Sequence, residues 1–345
     1  VAAYLLQQQG YACIGVTMRL YENETAGIPR GHTCCSLDDV EDARAVAYDL
    51  GMPYYVLNFA EEFDEKVIRK FVQVYQNGGT PNPCIDCNRY LKFDHLLTRA
   101  RELGCDYIAT GHYVQRWQDE NGRWGLRKND DPGKDQSYVL YSLTQDQLAH
   151  TLFPLGGMHK DAVRAIAEEQ GLCNARKHDS QDICFIPDGD YVAFLRRQGV
   201  ALTPGDFVDE AGRVLGRHRG LPCYTTGQRK GLGVGGSAYP LYVLRKDAKT
   251  NTVVLGPEEH LYSGRTVIEQ CNWIAFEDLA EPVRCTAKTR YSQTEAAATV
   301  SPLPGGRTEV VFDTPQRALT AGQSAVFYDG DTVLGGGWIC AQEEY

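Results

Sequence analysis

The chain has 345 residues, 43% of them hydrophobic and 23% charged, with a net charge of −10. That is the make-up of two or three ordinary globular domains with ample core. It excludes a membrane-spanning protein, since no apolar run nears the roughly 18 residues of a span and no secretory h-region opens the chain. Twelve cysteines in such a chain point to a reducing cytoplasm rather than to a disulfide scaffold.

Val1-Ala2-Ala3-Tyr4-Leu5-Leu6 reads as a helix body with no N-cap before it, so a preceding segment is expected. Tyr11 to Val16 reads as a buried strand. Ser36 is a candidate N-cap for a helix with Val40, Ala43, Val46, Ala47 and Leu50 on one face, closed by Gly51 and Pro53. Tyr54 to Phe59 is the next strand, and Phe63, Val67, Ile68, Phe71 and Tyr75 mark another helical face.

Thr80-Pro81-Asn82-Pro83-Cys84-Ile85-Asp86-Cys87 then places two thiols three residues apart behind two prolines. Proline fixes its own φ and pushes its predecessor out of the helical region, which predicts a stiff loop presenting sulfur. Arg89 and Lys92 follow and are the nearest cations in sequence, the setting in which a thiol pKa falls. A zinc knuckle or two buried structural cysteines are the plainer readings. Zinc usually takes four ligands from two such pairs, and the chain has no second Cys-x-x-Cys. A helix from Asp94 to about Leu103 and a strand from Asp106 to Thr110 come next.

Strands alternating with helices in this way predict a parallel sheet covered on both faces. Ligands in such sheets sit beyond the carboxyl ends of the strands. Met18-Arg19 and Gly111-His112-Tyr113 lie at such ends, although His112 also fits a satisfied turn histidine. Lys134-Asp135-Gln136-Ser137-Tyr138 leads into the apolar stretch Val139 to Leu143. Helices are expected from Lys160 to Gln170 and from Asp188 through Leu195. Between them, the polar run from His178 to Asp182 leads to a third thiol, Cys184. Cys13, Cys105, Cys271 and Cys340 sit in apolar surroundings and read as inert core thiols.

From about Gln198 glycine and proline become frequent. Residues 211–250 carry Arg213, Arg217, Arg219, Arg229, Lys230, Arg245, Lys246 and Lys249 against Asp247 alone, a net charge of +7. That density in an acidic protein is a footprint for polyanions, with a solvated cationic surface as the plainer alternative. A small mixed domain ends near Gly264. Beyond it Thr266 to Trp273, Arg284 to Ser292, Ala296 to Val300, Glu309 to Phe312 and Ser324 to Ile339 alternate like strands. Asp329-Gly330 supplies a hairpin signal within the last of these. An antiparallel barrel of the kind that grips RNA is expected.

Taken together, Cys87, Cys184, Gly111-His112-Tyr113, Lys134 to Tyr138 and Thr225 to Gly233 make the chain resemble the bacterial and organellar tRNA-specific 2-thiouridylases, which belong to the ATP pyrophosphatases. The likeness runs from Val1 to Ile339. It implies an adenine-nucleotide alpha-hydrolase-like (Rossmann-like) α/β domain over residues 1–197. A small central α+β domain would follow over 198–264 and a C-terminal antiparallel β-barrel over 265–345. The implied reaction is ATP-dependent 2-thiolation of the wobble uridine in tRNAs for lysine, glutamate and glutamine, with ATP and Mg²⁺ and an upstream persulfide donor or sulfur carrier as partners.

By the same resemblance Cys87 matches the nucleophile and Cys184 the persulfide carrier, the two passing through a disulfide. Met18 and Gly111 match ATP contacts, and Asn82-Pro83-Cys84 matches the loop at the target base. His112, Lys134, Asp135, Gln136, Arg290, Tyr291 and Gln323 match tRNA contacts. Arg229 and Lys230, in the basic stretch, are expected to join them. Two departures stand out. The family's phosphate loop, Ser-Gly-Gly-x-Asp-Ser, is expected directly before Val1 and is not in the sequence, so the chain as it stands is not expected to turn over. Some members also carry Asp where Cys84 stands, which leaves Cys84, Cys87 and Cys184 open as ligands of a [4Fe-4S] cluster. The alternatives are a non-catalytic or iron–sulfur-bearing RNA-binding protein, or an ATP pyrophosphatase that uses ammonia.

Overall fold

The computed structural model describes residues 1–21, 37–175, 183–237 and 239–341. The expected N-cap at Ser36 and the polar run 178–182 lie outside them. The contacts divide the chain into two compact units. The first holds Val1–Ile68, Pro83–Phe194 and Asp331–Val333, and the second holds Arg69–Asn82, Leu195–Gly330 and Leu334–Tyr345.

In the first unit the strands Gly15–Arg19 and Tyr54–Asn58 pair in parallel, Gly15 opposite Tyr54. Ile108–Ala109 pairs in parallel with Thr151–Leu152. Helices Ala2–Gln8, Leu37–Asp49 and Lys160–Glu169 alternate with them, the α/β pattern read from the sequence. The first strand begins at Gly15 rather than at Tyr11, which is 41% exposed. Pairing starts only where the Gly15 amide donates to the carbonyl of Pro53, at 2.8 Å. A hairpin that the sequence reading missed, Gln115–Gln118 with Trp124–Arg127, turns about Asp119, whose carboxylate accepts from the amides of Asn121 and Arg123.

The largest departure from expectation concerns the cysteines. Pro83 does not close a loop; it opens a helix, Pro83–Asp86, that runs on as a π-helical stretch, Cys87–His95, and ends as Leu96–Glu102. Proline suits the first helical position, where its missing N–H has no partner to lose. The helix therefore starts eleven residues before the expected Asp94. Ile85, Leu91, Phe93, Leu97 and Ala100 are buried along it. The wider i→i+5 winding of the π turn breaks the 3.6-residue period that would have shown this face in the sequence. A second π stretch, Asp64–Ile68, interrupts the preceding helix.

The second unit contains two β-structures. Gly205–Val208, Val214–His218, Tyr242–Asp247 and Thr252–Gly256 form a four-stranded mixed sheet in which Thr252–Gly256 lies parallel to Gly205–Val208. Phe207, fully buried, packs edge-on against Tyr224 at 5.1 Å and against His218 at 5.6 Å. The expected barrel is a closed antiparallel one of six strands: Tyr262–Trp273, Val283–Lys288, Ala296–Leu303, Arg307–Arg317, Ser324–Asp329 and Thr332–Ile339, closed by pairing the first with the last. Ala287, Ala298, Val300, Val310 and Phe327 alternate inward to fill it.

Candidate active site

Cys84 sits on the first turn of the Pro83 helix and is exposed, whereas Cys87, first residue of the π stretch, is buried. Asn88 beside it is 1% exposed. Its Nδ2 donates to the carbonyl of Val139 at 3.1 Å, while its Oδ1 has no partner. This tie brings the apolar stretch after Lys134–Ser137 against the cysteine helix. Arg89 lies over the ring of Tyr90, 5.4 Å from its centroid.

Residues just past three of the parallel-paired strands pack on this helix, and one just past the fourth bonds the segment of Cys184. Phe59, which follows Tyr54–Asn58, has its ring 6.1 Å from that of His95. His112, just past Ile108–Ala109, lies 5.7 Å from Phe93, and Phe153, just past Thr151–Leu152, lies 6.0 Å from the same ring. Tyr21, two residues past Gly15–Arg19, donates its hydroxyl to the carbonyl of Cys184 at 2.8 Å and packs on Phe63. Phe63 meets Phe185 at 5.6 Å, and its short helix Ala60–Phe63 contacts the π stretch. The backbone of Cys184 is thus linked through Tyr21 and Phe63 to the short helix that contacts the π stretch begun by Cys87, past the strand ends, where open α/β sheets place ligands. The sequence reading did not single out Tyr21 or Asn88; neither lies in a recognisable spacing.

Gly111 is exposed at the tip of its strand, and Met18 is half-buried near the end of its own. His112 is 8% exposed, with Nδ1 2.8 Å from the hydroxyl of Thr110. Burial, and then the charge of Lys92, hold its pKa well below the ordinary imidazole value, so the ring is neutral at pH 7. Gln136 clasps the turn twice: its Oε1 accepts from the Tyr113 amide at 2.9 Å and its own amide donates to the Tyr113 carbonyl at 3.0 Å. Asp135 accepts from the amides of Asn129 and Ser137 and from the Ser137 hydroxyl. The Lys134 amide donates to the carbonyl of Asp131. The side chains of His112, Asp135 and Gln136 therefore spend these contacts on folding the site.

The remaining expected residues lie in the second unit. Arg229 and Lys230 are exposed at the tip of the loop after Thr225. Arg290 is turned inward: its Nη2 donates to the carbonyl of Ala318 at 2.9 Å and to the Thr320 hydroxyl at 2.8 Å. Tyr291 next to it is 45% exposed. Gln323 uses its amide within the protein, donating to the carbonyl of Thr80 at 2.8 Å and, at 3.4 Å, to that of Pro81, which precedes Asn82.

The basic stretch is less cationic in space than in sequence. Arg213 pairs with Asp209 and Arg217 with Asp206, carboxylates just outside the counted window. Lys246 turns its ammonium inward to the carbonyls of Tyr224 and Gly79, and burial pushes its pKa down to about 8.

The described cysteines are all free thiols. No disulfide joins Cys87 and Cys184, and none joins any other described cysteine. Among the described residues no group of three or more His, Cys, Asp or Glu side chains is placed to hold a metal ion. Cys84 is exposed on the helix while Cys87, three residues on, is buried and Cys184 is partly buried. Of the thiols expected to be inert, Cys13, Cys271 and Cys340 are only partly buried, yet desolvation raises the pKa of each, that of Cys340 to about 11. Cys105 is likewise partly buried. Among the described residues no helix is long and apolar enough to cross a membrane.

The fold and the clustered strand ends agree with three family models. The one described as tRNA methyl transferase HUP domain matches residues 1–188, the tRNA methyl transferase PRC-barrel domain matches 193–257, and the aminomethyltransferase beta-barrel domain matches 263–339. Together they define a protein of the tRNA-modifying class built on a HUP domain. A relative from Clostridium acetobutylicum, tRNA-specific 2-thiouridylase MnmA, is 51% identical over 98% of this chain and 95% of its own. Proteins of the same name from Moorella thermoacetica and Magnetococcus marinus are 51% and 49% identical over 98% of this chain and 95% and 94% of theirs. The chain belongs to the tRNA-specific 2-thiouridylase family.

Proposed function

We propose that this protein replaces the C2 oxygen of the wobble uridine of tRNA with sulfur, consuming ATP to AMP and pyrophosphate. The substrates would be tRNAs for lysine, glutamate and glutamine. The observation that carries the reading is that residues just past three strand ends pack on the helix of Cys87, while Tyr21, past a fourth, bonds the Cys184 carbonyl.

A uridine C2 carbonyl is a poor electrophile because its oxygen leaves badly. ATP supplies the activation: the carbonyl oxygen displaces pyrophosphate from the α-phosphate and later departs with AMP. The chain's own residues bind, orient and deliver sulfur. Met18 and Gly111, at strand carboxyl ends, would lie against the nucleotide. Mg²⁺ would accompany it, but no metal-binding group among the described residues is assigned to that ion.

A sulfur carrier would leave a persulfide on Cys184. The Cys87 thiolate attacks the inner sulfur, the Sγ of Cys184; the S–S bond to the terminal sulfur breaks and hydrosulfide departs with that electron pair. Hydrosulfide adds to C2 and expels AMP. The new Cys87–Cys184 disulfide is returned to two thiols by an external dithiol, which takes up the two electrons' worth of oxidation. The target base must leave the anticodon stack, which costs least in a single-stranded loop. Arg229 and Lys230 would offset that through phosphate contacts.

Mass spectrometry of tRNA incubated with full-length protein, ATP and a persulfide donor tests this. The expected product has one oxygen replaced by sulfur. Cys87→Ser should abolish it while tRNA binding stays nearly intact. Equal loss of binding and product would make Cys87 structural, and replacement of oxygen by nitrogen would point to the ammonia-using alternative.

A further inference from the structure

Residues 69–82 leave the first unit after Ile68 and rejoin it at Pro83, where the cysteine helix begins. In between they are built into the second unit at five points. Lys70 lies over the indole of Trp338, 3.5 Å from the ring centroid. The amide of Thr80 donates to the carbonyl of Ala321 at 2.9 Å. Gln323 donates to the carbonyls of Thr80 and Pro81. Lys246 bridges the carbonyls of Gly79 and Tyr224, at 3.2 and 2.7 Å. Gly322, at φ +85, lets its backbone approach so closely that a Cβ there would stand 2.6 Å from Val74. The last anchored residue, Pro81, is only three positions from Cys84.

We infer that Lys246 and Gln323 are positioning residues for the cysteine helix: by fixing the carbonyls of Gly79, Thr80 and Pro81 they set where Pro83 starts the helix and so where Cys87 stands. This rests on the proposed thiolation only for its kinetic readout. Lys246 is not among the expected tRNA contacts. The two donors hold the successive carbonyls of Gly79, Thr80 and Pro81, and Pro81-Asn82-Pro83, in which each proline fixes its own φ, links them to the helix with little slack. Lys246 keeps donors for both carbonyls whether or not it is protonated, so the clasp does not depend on the low pKa that burial gives it.

The test compares Lys246→Met, Gln323→Leu and the donor-retaining Lys246→Arg with the wild type in three measurements. Alkylation of Cys84 and Cys87 by iodoacetamide, read by mass spectrometry, needs no turnover. Expected is a several-fold faster reaction at Cys87 in Lys246→Met and Gln323→Leu, with Arg restoring the slower rate. The tRNA affinity of Lys246→Met, which removes no expected tRNA contact, should stay within about twofold; Gln323→Leu is read by alkylation. The thiolation rate at saturating tRNA should fall on the order of a hundredfold, the effect of an ångström-scale misplacement. Weakened tRNA binding with an unchanged saturating rate would overturn the inference in favour of a direct RNA contact. Unchanged alkylation in both loss variants would overturn it outright. Should Lys246→Met fail to fold, Gln323→Leu decides alone. A full-length wild type that does not thiolate defeats the proposed function but leaves the alkylation result standing.

Discussion

His112 offers a pH-dependent handle on the site. Its ring is buried between Phe93 and Phe153 with Nδ1 against the Thr110 hydroxyl, and burial holds its pKa well below the ordinary imidazole value of 6.5. When the chain unfolds, the imidazole regains that ordinary value, so below pH 6.5 the unfolded state binds a proton that the folded state refuses. Stability contributed by the neutral ring is present above about pH 6.5 and is lost as pH falls toward the folded pKa, by up to about 1.4 kcal/mol per pH unit. His112→Gln should cost about 1 kcal/mol at pH 7.5 by removing two aromatic contacts, yet it titrates nothing. The gap between wild type and variant should therefore close by roughly 1 kcal/mol on going from pH 7.5 to 5.5. His218, lowered in the same direction by burial, acts equally in both proteins and cancels. Urea unfolding at pH 7.5, 6.5 and 5.5 measures the gap, with hydrogen exchange of peptides spanning residues 108–116 assigning the transition. Parallel loss of stability in the two proteins would refute a buried neutral His112.

Arg229→Ala with Lys230→Ala should weaken tRNA binding and reduce the slope of log affinity against log salt by about 1 to 2; an unchanged slope would take this loop out of the interface. Tyr21→Phe removes the hydroxyl that holds the Cys184 carbonyl, a bond contributing about 1 kcal/mol. Cys184 should then alkylate faster with far-UV circular dichroism unchanged, and an unaltered rate would show that Tyr21 does not order it. Phe327→Ala, inside the barrel and stacked on Trp273 at 5.7 Å, should destabilise that domain by about 3–5 kcal/mol, read as a lower thermal midpoint with Cys87 reactivity tracked alongside.

The barrel was legible because its strands alternate in and out and one hairpin carries Asp329-Gly330, so residue pattern and structure share a period of two. The parallel sheet was legible for a similar reason, in its alternation of strand and helix. The cysteine helix was not. Pro81 and Pro83 are strong local signals for extended chain, and the π winding from Cys87 to His95 hides the buried face that would have argued against a loop. Charge counting also misled. Lys246 adds one to the basic stretch on paper, yet its ammonium is spent on two carbonyls, one of them 167 residues away. Only tertiary structure can separate such a cation from Arg229 and Lys230. Gln323 illustrates the same limit, since its partners Thr80 and Pro81 are more than 240 positions upstream.

The interleaving of residues 69–82 bears on how this protein can be dissected. Phe71 and Tyr75 are buried, and their helix packs on the turn Leu221–Cys223. An expression fragment cut after Phe194 would keep that helix but discard everything it leans on, leaving apolar rings bare and inviting aggregation. A workable excision would replace 69–82 with a short soluble bridge, and it would sever the sulfur-bearing helix from the residues 79–81 whose carbonyls are held by Lys246 and Gln323.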